Sequence, residues 1–214
     1  GDDTQAVLHI LAWYAADGLS PDLINPSLKM MGDDAPLAPD AVTRAFVELT
    51  NLSLLERVTD TDTGRVTWTL HRLTATVLRQ AQGEQAAQIC EFAAAALFAQ
   101  VQGDANDPLN WPALKQVASH AVAMVETGEY SKVQMVGVLL NKVGIYLSKI
   151  ADFETRLRVA KAEHEIHAHA LEEEDANSII SLSNRGIAFE RVKQFDEAVA
   201  DGRRALKLAQ THHK

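Results

Sequence analysis

The chain has a single cysteine, Cys90, and few aromatic residues, which make up 6% of its 214 residues. One cysteine excludes an internal disulfide, and with it the small secreted folds that disulfides hold together. No apolar run approaches the roughly 18–20 residues that a membrane-spanning helix needs, so we expect no membrane partner. From these absences we expect a cytoplasmic protein.

Positive charge is scarce as well, because 20 Lys and Arg residues are outnumbered by 29 Asp and Glu residues, for a net charge of −9. Residues 1–80 have 6 basic and 11 acidic residues (−5), residues 81–130 have 1 and 6 (−5), and residues 131–214 have 13 and 12 (+1). No segment carries the basic surface that duplex DNA requires. DNA is therefore not an expected partner.

Catalytic and metal-binding motifs are missing too. The sequence contains no Gly-x4-Gly-Lys-Ser/Thr phosphate loop and no Gly-x-Ser-x-Gly nucleophile motif. His164 and His167 could share a metal ion on one helix face, but Ala168 stands where a zinc-protease helix has its second histidine. No third ligand has a suitable spacing. We predict that the chain itself has no catalytic residue, metal site or cofactor, and that it is not an enzyme.

What the chain does contain is helix-forming sequence with an internal repeat. Hydrophobic residues make up 47% of the chain, enough for a substantial core. A leucine, a glycine and a phenylalanine recur at one offset of 42 residues, which is typical of stacked helical hairpins that act as binding surfaces. The matched residues are Leu140, Gly144 and Phe153 in the first unit and Leu182, Gly186 and Phe195 in the second.

Beyond Glu84 the pattern predicts only helices, joined by breaks so short that neighbouring helices should pack antiparallel. The predicted spans are 84–101, 112–127, 131–150, 153–171, 177–192 and 195–211.

The second unit resembles the tetratricopeptide repeat (TPR), whose pattern combines large residues, a glycine and two alanines. In the first unit, Arg156 and Glu163 stand where the two alanines would be. The resemblance implies a TPR-like α-helical solenoid over 131–214, preceded by a helical linker or degenerate repeat over 81–130. The residues that carry it are Leu182, Gly186, Phe189, Ala198 and Ala205.

In this repeat family the ligand lies along the inner face of the first helix of each unit, so the resemblance implies a protein or peptide ligand there. Mapped onto this chain, the inner-face positions are Val138, Asn141, Ile145, Ser148 and Lys149, then Ile180, Ser183, Ile187, Glu190 and Arg191.

Residues 1–80 have the pattern of a small winged-helix domain, three helices followed by a β-hairpin. Helices are predicted over 4–16, from Ser20-Pro21 and from about Pro39. β-branched and aromatic residues then predict strands over 54–58 and 65–70, joined by a polar loop that ends in a glycine. The third helix has one arginine against two acids, so it does not suit a DNA groove.

The end of this hairpin, Leu70-His71-Arg72, resembles the Met-His-Asp motif of STAND-type signalling ATPases of the NB-ARC kind. The resemblance implies that His71 reaches the β-phosphate of ADP held by an ATPase domain upstream in the same protein. Arg72 departs from the motif, because it replaces an acid. Since the chain opens with Gly1 and not with Met, we expect it to be a segment of a longer protein.

The fold class predicted is therefore mainly α, a winged helix followed by a TPR-like solenoid. The function predicted is a regulatory segment of a STAND-type nucleotide switch, with His71 and Arg72 sensing the nucleotide and the repeats binding a ligand. Two alternatives remain, a stand-alone TPR adaptor and a winged-helix transcription regulator.

Overall fold

The computed structural model describes residues 2–24, 40–128, 133–170 and 175–212. The fold is mainly helical, with one small antiparallel sheet in this part of the chain, which confirms the predicted mainly α class. No helix among the described residues is both long and apolar enough to cross a membrane. The elements are α1 Asp2–Leu11, α2 Ala41–Asn51, β1 Leu55–Thr59, β2 Val66–Leu70, α3 Arg72–Gln82, α4 Ala86–Ala99, α5 Trp111–Glu126, α6 Gln134–Lys149, α7 Phe153–Ala170, α8 Ala176–Arg191 and α9 Phe195–His212, with short 3-10 helices at Pro21–Leu23, Gly83–Gln85 and Pro108–Asn110.

The first helix is shorter at its C-terminal end than the predicted span of 4–16. After Leu11 the hydrogen bonds tighten, because the Trp13 N–H donates to the Ile10 carbonyl and the Tyr14 N–H to the Leu11 carbonyl. This tight turn allows the chain to reverse, so that Leu19 pairs with Trp68 of β2. The next helical turn is the 3-10 helix at Pro21–Leu23. The predicted loop over 31–39 and the predicted start of the third helix at Pro39 lie outside the described residues, and α2 begins at Ala41.

The predicted hairpin is confirmed. Strands β1 and β2 are antiparallel, with Leu55 opposite Leu70 and Thr59 opposite Val66. The Asp60 carboxylate accepts the backbone N–H groups of residues 62 and 63, at 2.9 and 2.8 Å, which holds the turn. Gly64 closes it with φ of 70°, a backbone conformation that favours glycine.

The last four helices form two hairpins with matching bounds. Helix α8 begins and ends 42 residues after α6, and α9 begins and ends 42 residues after α7. Each hairpin turns through a residue with positive φ, Ala151 at 61° and Lys193 at 64°. The N–H groups of Asp152 and Gln194 then donate to carbonyls five residues back, at 3.0 and 2.9 Å, and so satisfy the ends of α6 and α8.

One contiguous hydrophobic core runs from α1 to α7 and continues across residue 80. The Tyr14 hydroxyl donates to the carbonyl of Ala93 in α4 at 3.0 Å, and the Ala15 N–H donates to His120 Nδ1 of α5 at 3.2 Å. The N-terminal elements are therefore fixed to the helices that follow. A second, smaller cluster joins α7 to α8 through Leu157, Ala160, Ala188 and Phe189.

Candidate functional site

A groove of about 280 Å³ opens between α6 and α8, with α7 as its floor. Its walls carry amide side chains and two exposed branched aliphatic residues, Val138 (44% exposed) and Ile180 (50%). The floor carries an acid and a histidine. We call this surface the α6–α8 groove, and its lining residues are Gln134, Val138, Asn141, Glu163, His167, Asn177 and Ile180.

The floor of the α6–α8 groove is organised by Glu163, which is only 1% exposed. Its Oε1 accepts the side-chain amide of Asn141 in α6 at 2.8 Å and that of Asn184 in α8 at 3.2 Å. A single carboxylate of α7 thus links the helices on both sides of it. Because the contact is buried, it fixes the direction in which both amides point.

Arg156 supplies the counter-charge, with Nη1 3.8 Å from Glu163 Oε2 and both side chains buried. Burial raises the pKa of the Glu163 carboxyl, although the amide hydrogen bonds and Arg156 oppose the shift. Burial also lowers the pKa of the Arg156 guanidinium, against the attraction of Glu163. For both groups the loss of water outweighs the attraction between the charges, so the pair is costly to bury.

Gly144 makes room for this arginine. A Cβ atom at position 144 would lie 2.5 Å from Arg156 Nη1. In the second hairpin, a Cβ at Gly186 would instead meet Asp201 Cβ at 3.3 Å and the backbone carbonyl of Ala198 at 3.4 Å. The repeated glycine therefore serves a close helix approach in the second unit and a buried side chain in the first.

Two lining side chains of the groove, and the arginine behind it, have buried polar atoms without a hydrogen bond among the described residues. These atoms are Glu163 Oε2, His167 Nδ1 and Arg156 Nη1. Buried polar atoms in native proteins are normally satisfied by protein, water or ligand. The floor therefore has unused capacity for hydrogen bonds.

The predicted inner-face residues separate into three groups. Asn141, with its neighbours Val138 and Ile180, lines the α6–α8 groove. A second hollow, between α8 and α9, includes the predicted residues Ser183, Ile187 and Glu190 together with Phe195. The rest lie in neither hollow: Ile145 is half-buried, Ser148 donates to the Gly144 carbonyl, Lys149 is exposed, and the Arg191 guanidinium lies over the ring of Phe153.

Sequence reasoning missed Glu163, His167 and Asn184 as site residues. The available signal was the pair of charged residues, Arg156 and Glu163, at positions where the second unit has alanine. Helical hairpins bury these positions between neighbours, so charges there had to be paired.

His71 lies at the junction of β2 and α3 and is exposed. Its Nδ1 accepts the backbone N–H of Leu73 at 3.2 Å and so caps α3. An imidazole that accepts at Nδ1 carries its proton at Nε2, which leaves that N–H as a donor. Arg72 lines a separate cleft of about 600 Å³, together with Arg79 of α3 and Lys115 of α5.

His164 and His167 face different helices. His164 Nδ1 lies 3.2 Å from the Ser181 hydroxyl of α8, whereas the His167 ring lies against Gly137 of α6. Within the described ranges, no group of three or more His, Cys, Asp or Glu side chains could hold a metal ion.

Comparison of the chain with protein-family models, with curated proteins and with solved structures found no match.

Two glycine substitutions separate the role of Gly144 from helix propensity. Gly144→Ala is expected to lower the free energy of unfolding by about 1–3 kcal/mol, because the new methyl group displaces a buried guanidinium. Gly202→Ala is the control, since a Cβ there meets nothing within 4 Å. It should raise stability by about 1 kcal/mol through helix propensity. Urea denaturation of both variants measures the difference, and an equal gain in both would show that Gly144 makes no room for Arg156.

Proposed function

We propose that this chain is a non-catalytic sensor segment of a STAND-type nucleotide switch. In this proposal residues 131–214 are TPR-like repeats that bind a polypeptide in the α6–α8 groove, and residues 1–80 are the winged helix that relays binding to an upstream ATPase domain. The observation that supports polypeptide binding is the lining of the groove, in which side-chain amides alternate with exposed branched aliphatic residues.

Such a lining suits an extended polypeptide. Side-chain amides such as those of Gln134 and Asn177 have both a donor and an acceptor, which match the N–H and C=O groups of a backbone. Val138 and Ile180 offer apolar contact to alternate side chains on either side. A groove with this composition suits contact with the backbone of a bound polypeptide.

Panning a library of random 12-residue peptides on phage against the immobilised chain tests this binding. We expect selected peptides to bind in fluorescence anisotropy and to lose at least tenfold in affinity in a Val138→Ser, Ile180→Ser double variant, because the apolar contact is lost. Leu109→Ser is the control, since Leu109 is also apolar and even more exposed (87%) but lies in the 3-10 helix before α5. Peptides that bind all variants alike, or a library without any binder, would contradict the proposed groove.

The proposed relay rests on His71. Its side chain is exposed, its Nδ1 is engaged by the cap of α3, and its Nε2–H is free to donate to a phosphate. These features are compatible with the role that the Leu70-His71-Arg72 motif implies.

In the full-length protein, His71→Ala is expected to weaken ADP binding by roughly ten- to hundred-fold, because it removes a hydrogen bond to a charged phosphate worth about 1.5–3 kcal/mol. The substitution also removes the α3 cap, which costs about 0.5–1 kcal/mol of stability. His71→Asn separates the two effects, since asparagine keeps the cap but is too short for the phosphate. Nucleotide titration of the three forms decides: unchanged ADP affinity in His71→Asn would leave His71 a helix cap only.

A further inference from the structure

The polar groups at the floor of the α6–α8 groove are predominantly hydrogen-bond acceptors. Asn141 Nδ2 donates one N–H to Glu163 Oε1, and the carbonyl oxygen of this amide can accept a hydrogen bond from a ligand. Glu163 Oε2 and His167 Nδ1 are buried and have no hydrogen bond among the described residues. The Asn141 carbonyl oxygen and Glu163 Oε2 are thus two acceptors on neighbouring helices among the side chains that line the groove. His167 Nδ1 is a third acceptor in the tautomer that carries its proton on Nε2.

The counter-charge of Glu163 does not fill this space. Arg156 is not part of the groove lining, because its guanidinium lies on the side of Gly144. Its Nη1 remains 3.8 Å from Glu163 Oε2, beyond hydrogen-bond distance. Oε2 therefore retains the capacity to accept a hydrogen bond from a second donor.

The walls and the size of the groove indicate which type of side chain supplies that donor. At about 280 Å³, the space is just below the range of roughly 300–1,000 Å³ typical of small-molecule pockets, so it suits one long side chain. Val138 and Ile180 provide aliphatic walls above the polar floor. Lysine and arginine have this form, with an apolar stem and a head that only donates hydrogen bonds.

We infer that the α6–α8 groove receives the side chain of a lysine or arginine from the bound polypeptide, with Glu163 Oε2 as the main acceptor. This inference rests on the proposed function for its polypeptide, but the cation site itself is defined by the side chains described above. The groove thus recognises extended polypeptides that carry a basic residue at one fixed position.

Small cationic probes test the site without a known ligand. Agmatine carries a guanidinium on a four-carbon stem, butylammonium carries an ammonium, and N-butylurea is the neutral analogue. In titrations of the ¹⁵N-labelled chain, we expect saturable shifts at Asn141 and Asn177, with agmatine or butylammonium at least tenfold tighter than N-butylurea. Equal or tighter binding of N-butylurea would overturn the inference, because the groove would then select a neutral donor.

Three variants test whether agmatine binds in the α6–α8 groove. Glu163→Gln should lower agmatine affinity at least tenfold, and Ile180→Ser, which changes an exposed wall residue and leaves the floor intact, should lower it severalfold. Glu126→Gln removes an equal charge from an exposed ion pair with Arg158 and should change nothing. Undiminished agmatine binding in both groove variants overturns the inference. If Glu163→Gln folds poorly, undiminished agmatine binding in Ile180→Ser alone overturns it.

Peptide selection separates this inference from the proposed function. Selected phage peptides with a lysine or arginine at one position, lost when Glu163→Gln is used as bait, would support both. Selected peptides without a basic residue would overturn the inference and leave the proposed function. Agmatine binding without any selected peptide would overturn polypeptide recognition and leave the cation site.

Discussion

Glu163→Ala is expected to lower the free energy of unfolding by about 3–5 kcal/mol, because it leaves Arg156 buried and without a counter-charge. It also removes the acceptor that holds Asn141 and Asn184. Urea denaturation at pH 7 measures the loss. The exposed pair Arg158–Glu126 is the control, and Glu126→Ala should cost at most about 1 kcal/mol.

The double variant Arg156→Met with Glu163→Leu is expected to recover most of this loss. Burial shifts the pKa of both groups away from the charged form, so the pair is held against a large cost of desolvation. Apolar residues of similar volume have no such cost. If the double variant were as unstable as Glu163→Ala, packing rather than charge pairing would account for the effect.

Acid is expected to destabilise the protein through His120, which is 1% exposed and accepts the Ala15 N–H at Nδ1. Burial lowers the pKa of His120 to about 4, below its usual 6.5, although Asp17 opposes the shift. The folded-state pKa is thus depressed, so the unfolded chain takes up the proton first as the pH falls. The stability is fully present above pH 6.5 and is lost as the pH falls towards 4. The slope approaches about 1.4 kcal/mol per pH unit.

Between pH 7 and pH 5, the wild-type chain should therefore lose about 2 kcal/mol more stability than His120→Gln, which has no proton to gain. Comparing two variants at each pH cancels the titration of the carboxylates that they share. A wild-type loss equal to that of His120→Gln would show that His120 is not buried as a neutral acceptor.

Much of the fold could be predicted because the sequence patterns that indicate each element lie within that element or its repeat. The boundaries of α6 to α9 follow from helical periodicity and from the 42-residue offset, and the structure places all four within a few residues of the prediction. The β-hairpin was predictable from a polar loop that ends at Gly64. The end of α1 was not, because it depends on the pairing of Leu19 with Trp68, a contact far along the chain.

The site was less predictable, because its chemistry depends on residues that meet across helices. The inner-face positions on α6 and α8 were implied by the resemblance to the tetratricopeptide repeat, and Asn141 is one of those that line the α6–α8 groove. The pairing of Glu163 with Asn184 spans 21 residues, and its direction depends on how α7 packs between its neighbours. Periodicity shows which face of a helix is buried but not which polar groups meet there.

The division of the hydrophobic core has a consequence for the local opening of the repeats. Helices α1 to α7 share one large core, whereas the apolar contact of α8 with α7 is a separate cluster of four buried residues. Other contacts between α7 and α8 are polar or cation–π, such as Asn184 with Glu163, His164 with Ser181, and Arg191 over Phe153. We therefore expect the α8–α9 hairpin to open locally at a lower free energy than the helices of the large core and to exchange its amide hydrogens sooner than they do. A ligand that bridges α6 and α8 would bind only the closed form, so ligand binding would reduce the local opening of the α8–α9 hairpin.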